Sequence, residues 1–501
     1  MTAEASEPRA AGDTISRNAL LAFAAQMTTA AFTAVLTVFL SRELGPAGFG
    51  TLALAISVAG LLRRASAGAM AQAAARFIAE RHGDTAAVTG VLGMALRIRL
   101  ATAAGFSVAL FALAGPIAEL YDAPELAWPL RGVAVAFFGQ SVVTFVNNVF
   151  VALRRTSGSF TLVASESAME FTASVALVLL GGGATGAAFG RAVGYLFGAL
   201  LGVLLLGRLL GRSPLFNTGK SDVARRDFAN YAGAMLVLSS SSAIFSQLDV
   251  LLIGAFLTTA AVGIYSAPLQ LITVLGYPGY ALAQGIAPRL ARHPKDPQNV
   301  EALTRGLSYV LILQSGLVAV VAVWAEPIVR LALGEAFLES AEVLRALTPV
   351  VFFAGVSTLL VQPLNYAGEG RRRIPIAVTM VLIAAGLNVL LIPEIGVLGA
   401  AVSTNVASCV SVGGHLWLSH RVLSLPLAPL ASSAVRALAA AAGLAGVLAL
   451  VGTGELSAVQ WVVGIVGGSA VFVAILLATR ALSIAELRSL LRLARRALRA
   501  S

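Results

Sequence analysis

Residues 45–84 read GPAGFGTLALAISVAGLLRRASAGAMAQAAARFIAERHGD. Between Gly48 and Ala75 the only charges are the adjacent Arg63 and Arg64. A helix rises 1.5 Å per residue, so about 20 apolar residues cross a hydrocarbon core of roughly 30 Å. The stretch therefore predicts a transmembrane helix over 48–75. Runs of the same kind recur on both sides, at 18–40, 90–115, 132–153, 160–181, 185–207, 230–257 and 261–288. They continue at 305–333, 344–366, 374–393, 397–419, 430–452 and 457–479. Each is continuous, unlike the ten-residue segments of alternating polarity that build a membrane barrel. The expected fold is an all-α polytopic membrane protein of about 14 transmembrane helices.

Composition agrees. Of 501 residues, 58% are hydrophobic and 12% charged, against about 45–50% and roughly 25% in soluble domains. So few charges could not cover a water-soluble surface. A lone cysteine, Cys409, leaves no internal disulfide or cysteine metal site, and four scattered histidines (His82, His293, His415, His420) show no ligand spacing. No metal and no cofactor is expected. The net charge of +11 suggests nucleic acid until the charges are placed. With the N-terminus inside and sides alternating, the inner segments carry +17, the outer −6, and six charges within the spans cancel. That is the positive-inside asymmetry of a multi-pass protein of the cytoplasmic (inner) membrane with both termini cytoplasmic. No nucleic-acid partner is expected. The first run follows Glu4, Glu7 and Asp13 and reads as a true span, with no cleavable signal. The tail from Ile484 to Arg499 alternates apolar and basic residues as an amphipathic helix would, either on the anionic inner leaflet or solvated.

The opening stretch has an echo, TTAAVGIYSAPLQLITVLGYPGYALAQGIAPRLARHPKD, at 258–296. Phe49-Gly50 matches Val262-Gly263, Arg76 matches Arg289, and Gly186-Ala187-Ala188 matches Gly399-Ala400-Ala401, all 213 residues apart. Ala71-Gln72 and Ala283-Gln284 agree within one residue. Spans one to six then correspond to seven to twelve as parallel repeats about a pseudo-two-fold along the membrane normal, an architecture of transporters. The expected divisions are 1–215 and 216–425 for the two lobes, 426–482 for two extra spans, and 483–501 for a basic tail. The polar stretch Arg208–Asp227 would link the lobes.

Two further motifs, Phe39–Gly50 (FLSRELGPAGFG) and Gln247–Gly254 (QLDVLLIG) followed by Val262–Ala267 (VGIYSA), carry a likeness. With them the chain resembles the Wzx-type polysaccharide flippases of the multidrug/oligosaccharidyl-lipid/polysaccharide exporter superfamily. The resemblance implies a non-enzymatic transporter that turns over a polyprenyl-(di)phosphate-linked oligosaccharide for surface glycan assembly. Membrane lipid and glycan-assembly machinery would be its partners. The alternatives are an ion-coupled multidrug antiporter of the same superfamily, a lipid II flippase, or a membrane-bound glycan polymerase. Against the first, span one offers Gln26 and threonines but no acid. Against the second, it lacks the arginine such flippases resemble one another in carrying there. Against the third, no outer loop is large.

The candidate site residues are the charges at membrane depth, each costing about 2.5–3.5 kcal/mol at a span centre on translocon scales. Arg63, Arg64 and Arg191 suit diphosphate oxygens, which guanidinium groups bind in pairs. They could instead pair with acids within the membrane. Glu166 and Glu170, four apart on one helix face, and Asp249 are candidates for ion coupling or for counter-charge. Gln26, Asn147, Asn148, Gln247, Gln362, Asn365, Asn388 and Asn405 could bond sugar hydroxyls or tie helices together. Residues Pro214–Ser221 end like a phosphate-binding loop, but Pro214 replaces the first glycine and no strand precedes it. ATP is not the expected energy source.

Overall fold

A computed structural model of the chain describes residues 15–79, 85–153, 155–210, 225–275, 296–366, 369–483 and 486. Every regular element among them is helical. Among the described residues, ten helical segments are long and apolar enough to cross a membrane. Residues 211–224 of the Arg208–Asp227 linker, with the phosphate-loop-like Pro214–Ser221, and the tail apart from Ser483 and Glu486 lie outside the described residues.

The chain divides into two compact units, Met1–Gly263 and Ile264–Ser501. In the first, α1 (Ile15–Ala79) is interrupted at Gly45, where φ is +62°, so the first two expected spans form its two halves. Positive φ is a conformation glycine adopts without penalty. There follow α2 (Thr85–Leu120), α3 (Ala127–Ala152), α4 (Thr156–Leu177), α5 (Gly183–Leu210) and α6 (Arg225–Phe256). Helix α6 packs along α1, so the edge of this unit lies beyond the Arg208–Asp227 linker. Helix α7 (Thr259–Leu275) crosses that edge.

The second unit holds α8 (Pro297–Val323), α9 (Ala325–Ala332), α10 (Ser340–Ala346), α11 (Thr348–Tyr366), α12 (Ile374–Ile395), α13 (Val397–Leu423), α14 (Leu427–Val451) and α15 (Ala458–Ala478). Leu303, Leu307, Val356, Leu360, Leu418 and Leu430 belong to one apolar core of this unit. On α12, Val378, Leu382, Val389 and Leu390 point outward, the inversion of soluble patterning expected where lipid is the solvent.

The 213-residue repeat is visible in the backbone. Gly183 opens α5 with φ/ψ of +52°/−142°, and Gly396 precedes α13 with +63°/−144°. Three residues later, Gly186 and Gly399 each press the new helix onto the carbonyl end of the preceding one, at Leu177 and Leu391. The break at Gly45 has its counterpart at Thr258, between α6 and α7. Most telling, a Cβ on Gly50 would meet the Thr259 carbonyl oxygen, and one on Gly263 would meet the Pro46 carbonyl oxygen. Position 50 thus touches the repeat equivalent of position 46, and position 46 touches that of position 50, a reciprocal pair of contacts.

Two sequence expectations are corrected. The span read over 305–333 ends at Val323, and α9 is a separate short helix. Between them Trp324 is fully buried, donates from Nε1 to the Gly452 carbonyl at 3.0 Å, and meets the Trp461 ring edge-on. Docking onto the α14–α15 connection ends the helix where hydropathy alone continues it. Also, Arg97 and Arg99, included in the inner +17 although they fall inside the run at 90–115, lie within the apolar stretch of α2.

At the C-terminal edge, the Tyr309 hydroxyl of α8 donates to Glu486 at 2.6 Å, and Ser483 donates from both its backbone N–H and its hydroxyl. These donors hold the Glu486 carboxyl below the ordinary glutamate range. Because the folded value is lowered, its contribution is present above the ordinary value and is lost as pH falls through the lowered one. A spin label at Ala481 in a Cys409→Ser background should therefore stay immobile at neutral pH and gain mobility only as pH falls below the ordinary glutamate range. Tyr309→Phe should shift that transition to higher pH. A label equally mobile at all pH values would show that the contact does not hold this edge.

Candidate functional site

Helix α5 carries glycine at 186, 190, 194, 198 and 202, one every four residues and so a single stripe along one face. The stripe lies on α4 in antiparallel register. A Cβ at Gly190 would fall 2.3 Å from Ser174 Cα, one at Gly194 2.5 Å from Glu170 Cα, and one at Gly198 2.9 Å from Glu166 Cβ. Small residues let helix backbones approach closely in lipid. Here the approach brings polar side chains of α5 onto the two acids of α4. On its other side, Gly139 of α3 meets the backbone of Tyr195 just as closely.

The result is a polar cluster among apolar spans. Arg191 Nη1 lies 2.5 Å from Glu170 Oε1, and Nη2 donates to the Tyr195 hydroxyl at 3.1 Å. The guanidinium also stacks over the Tyr195 ring at 5.0 Å. Gln140 Nε2 of α3 donates to the same hydroxyl at 2.6 Å. Glu166 sits beside this pair, 6% exposed, with the Ser167 hydroxyl 3.4 Å away. Two carboxyls thus share one guanidinium, which one of them already holds. With both ionised, these three side chains carry a net negative charge in a setting that penalises it.

Several predicted residues are brought together here and others are not. Glu166, Glu170 and Arg191 form one group, with Tyr195 and Gln140 as members that sequence reasoning missed. The i, i+4 spacing of Arg191 and Tyr195 was the available signal. Arg63 and Arg64 lie on the second half of α1, and their side chains are outside the described residues. Asp249 is buried on α6, and neighbouring Gln247 lies against Gly60 of α1. Asn147 accepts from Ser159 and Asn405 donates to the Ala346 carbonyl, both bonds between helices, whereas Asn148 donates within its own helix to Thr144. Asn388 is fully buried on α12; Gln26 and Gln362 are half-buried on α1 and α11. Asn365 is bound to Arg373 in the second unit. Arg99 was also missed: it is buried in α2, its Nε donating to the Ser141 carbonyl at 3.4 Å.

Residues 15–293 match the family described as "Polysaccharide biosynthesis protein". The chain belongs to that family. All six ionisable residues predicted at membrane depth fall inside the matched region of this polysaccharide biosynthesis protein. A probable low-salt glycan biosynthesis flippase, Agl15 of Haloferax volcanii, is 27% identical over 196 residues, 38% of this chain and 41% of that protein. The match thus spans less than half of that relative's length. Among solved structures, the lipid II flippase MurJ in an inward closed conformation is similar with a TM-score of 0.71 at 14% identity, covering 91% of this chain and 97% of that one. An inward-facing multidrug resistance MATE family transporter of the MOP superfamily gives 0.66 at 14% identity, over 81% and 98%. At that identity the likeness establishes the fold, a multi-pass helical membrane architecture.

Proposed function

We propose that this polysaccharide biosynthesis protein is a flippase that moves a polyprenyl-(di)phosphate-linked oligosaccharide across the cytoplasmic membrane by alternating access. The observation that carries the reading is the family match, which takes in every charge predicted at membrane depth. A glycan-lipid headgroup is anionic and hydrophilic, and only a polar lining spares it the cost of crossing hydrocarbon. The similarity to Agl15, a probable low-salt glycan biosynthesis flippase, supports the same class of cargo. Arg63 and Arg64 take the diphosphate. Glu170 serves as counter-charge to Arg191, and Glu166, the carboxyl left without that partner, is the coupling group. Both termini are cytoplasmic, and no covalent step is involved.

Proteoliposomes loaded with a fluorescent polyprenyl-diphosphate oligosaccharide test this. The wild type should translocate it, and Arg63→Ala plus Arg64→Ala should slow the initial rate about tenfold or more, equivalent to about 1.4 kcal/mol or more. A rate within twofold of wild type would remove the phosphate role from these arginines. A wild-type protein that leaves this substrate in place while exporting a cationic dye would replace the flippase by an antiporter.

A further inference from the structure

Three spans of the second unit converge on a group that none of these roles uses. Arg373 ends the short helix Gly370–Arg373 that leads into α12. Its Nε donates to His415 Nε2 of α13 at 3.2 Å, and its Nη1 donates to Asn365 Oδ1 of α11 at 2.5 Å. A guanidinium can only donate. His415 Nε2 is therefore the acceptor, its ring proton sits on Nδ1, and that proton goes to the Ser411 carbonyl 2.7 Å away. His415 is thus neutral, 5% exposed, with its tautomer set from both sides. Asn365 is neutral as well. The carboxylate closest in sequence, Glu369, is taken by Arg372 at 3.1 Å. Among the described residues no carboxylate pairs with Arg373.

One half-buried guanidinium is therefore aimed by two uncharged acceptors, and among the described residues its charge has no counter-ion. Such a cation bears desolvation without the return of an ion pair. The arrangement makes physical sense when an anion from outside the chain completes it. Nη2 makes no hydrogen bond among the described residues, and Nη1 keeps a second proton, so two adjacent donors of the planar fork remain open. That fork matches two oxygens of a phosphate.

We propose that Arg373, positioned by Asn365 and His415, binds a phosphate group of a membrane lipid. The site stands where α11 ends and α12 begins, at the end of two spans, and the outward face of α12 offers Val378 and Leu382 to a hydrocarbon chain. The phosphate belongs to a polyprenyl diphosphate or to an anionic phospholipid. The site requires neither Arg63 nor Arg64 and goes beyond the transport reading.

The test uses the purified full chain in detergent with two probes. Inorganic diphosphate is followed by equilibrium dialysis, and phosphatidylglycerol against phosphatidylcholine by native mass spectrometry. Arg373→Gln should weaken binding about tenfold, while Arg371→Gln and Arg372→Gln should each stay within about twofold. Asn365→Ala and His415→Leu keep the charge but release the guanidinium, and should weaken binding several-fold. A loss confined to diphosphate assigns the site to the polyprenyl carrier, and one confined to phosphatidylglycerol assigns it to phospholipid. Equal losses from all three arginine variants would reveal only a basic surface and overturn the proposal, as would unchanged binding in Arg373→Gln. If Arg373→Gln does not fold, unchanged affinity in both Asn365→Ala and His415→Leu overturns it instead.

Discussion

Arg191→Met is expected to destabilise the protein by about 3–5 kcal/mol, the cost typical of removing one partner from a buried ion pair. The size follows from what is left behind. Glu170 loses the guanidinium held at 2.5 Å, Tyr195 loses a donor, and Glu166 loses the one cation of its cluster. The close seating of Gly194 and Gly198 on α4 gives these carboxyls no room to turn away. Two companion variants separate charge from packing. Glu170→Gln added to Arg191→Met should recover most of the loss, because two neutral side chains replace an uncompensated charge. Arg191→Lys should recover little, since an ammonium cannot reach Glu170 and Tyr195 together in one planar fork. Thermal unfolding in detergent, followed by the apparent midpoint, is the measurement. A change below about 1 kcal/mol for Arg191→Met would mean that the pair contributes no more than an exposed salt bridge.

The second large effect concerns the two glycines that meet across the repeat. In Gly50→Ala the new Cβ would lie 1.7 Å from the Thr259 carbonyl oxygen, and in Gly263→Ala 2.0 Å from that of Pro46. Overpacking a core commonly costs about 1–3 kcal/mol because flexible side chains yield. Here the obstacle is backbone on both sides, so each change should cost about 3 kcal/mol or more, and the double variant less than the sum because one separation relieves both clashes. Gly105→Ala is the control. No atom lies within 4 Å of its Cβ position, and helix propensity should make it neutral or stabilising by up to about 1 kcal/mol. If Gly50→Ala melts like Gly105→Ala, the helices do not cross there as closely as the backbone indicates.

These two effects differ in how far they could be foreseen. Phe49-Gly50 and Val262-Gly263 align at an offset of 213, and the spacing implied a two-fold relation. It could not say that those two glycines press against one another's helix. Sequence likewise identified Glu166, Glu170 and Arg191 as charges needing partners, but it offered Arg63 and Arg64 as equally good ones. The glycine stripe from 186 to 202 contained the answer, since small residues every four positions dictate which face of α5 is pressed onto α4. Arg373, His415 and Asn365 gave no comparable signal. The arginine and histidine are 42 positions apart, and each alone resembles an ordinary span-end charge or a polar core residue.

Hydropathy and charge asymmetry, being sums over many residues, were enough to establish a multi-pass helical protein built on a repeat, because a bilayer tolerates few alternatives for the backbone. Which charge meets which depends instead on helix register and rotation. A rotation of about 100° per residue moves a side chain from one neighbour to another without altering the apolar count. Close contacts at Gly194, Gly50 and Trp324 select among those registers. Only packing therefore decided that the +11 chain keeps Arg191 for Glu170 and leaves Arg373 with neutral partners.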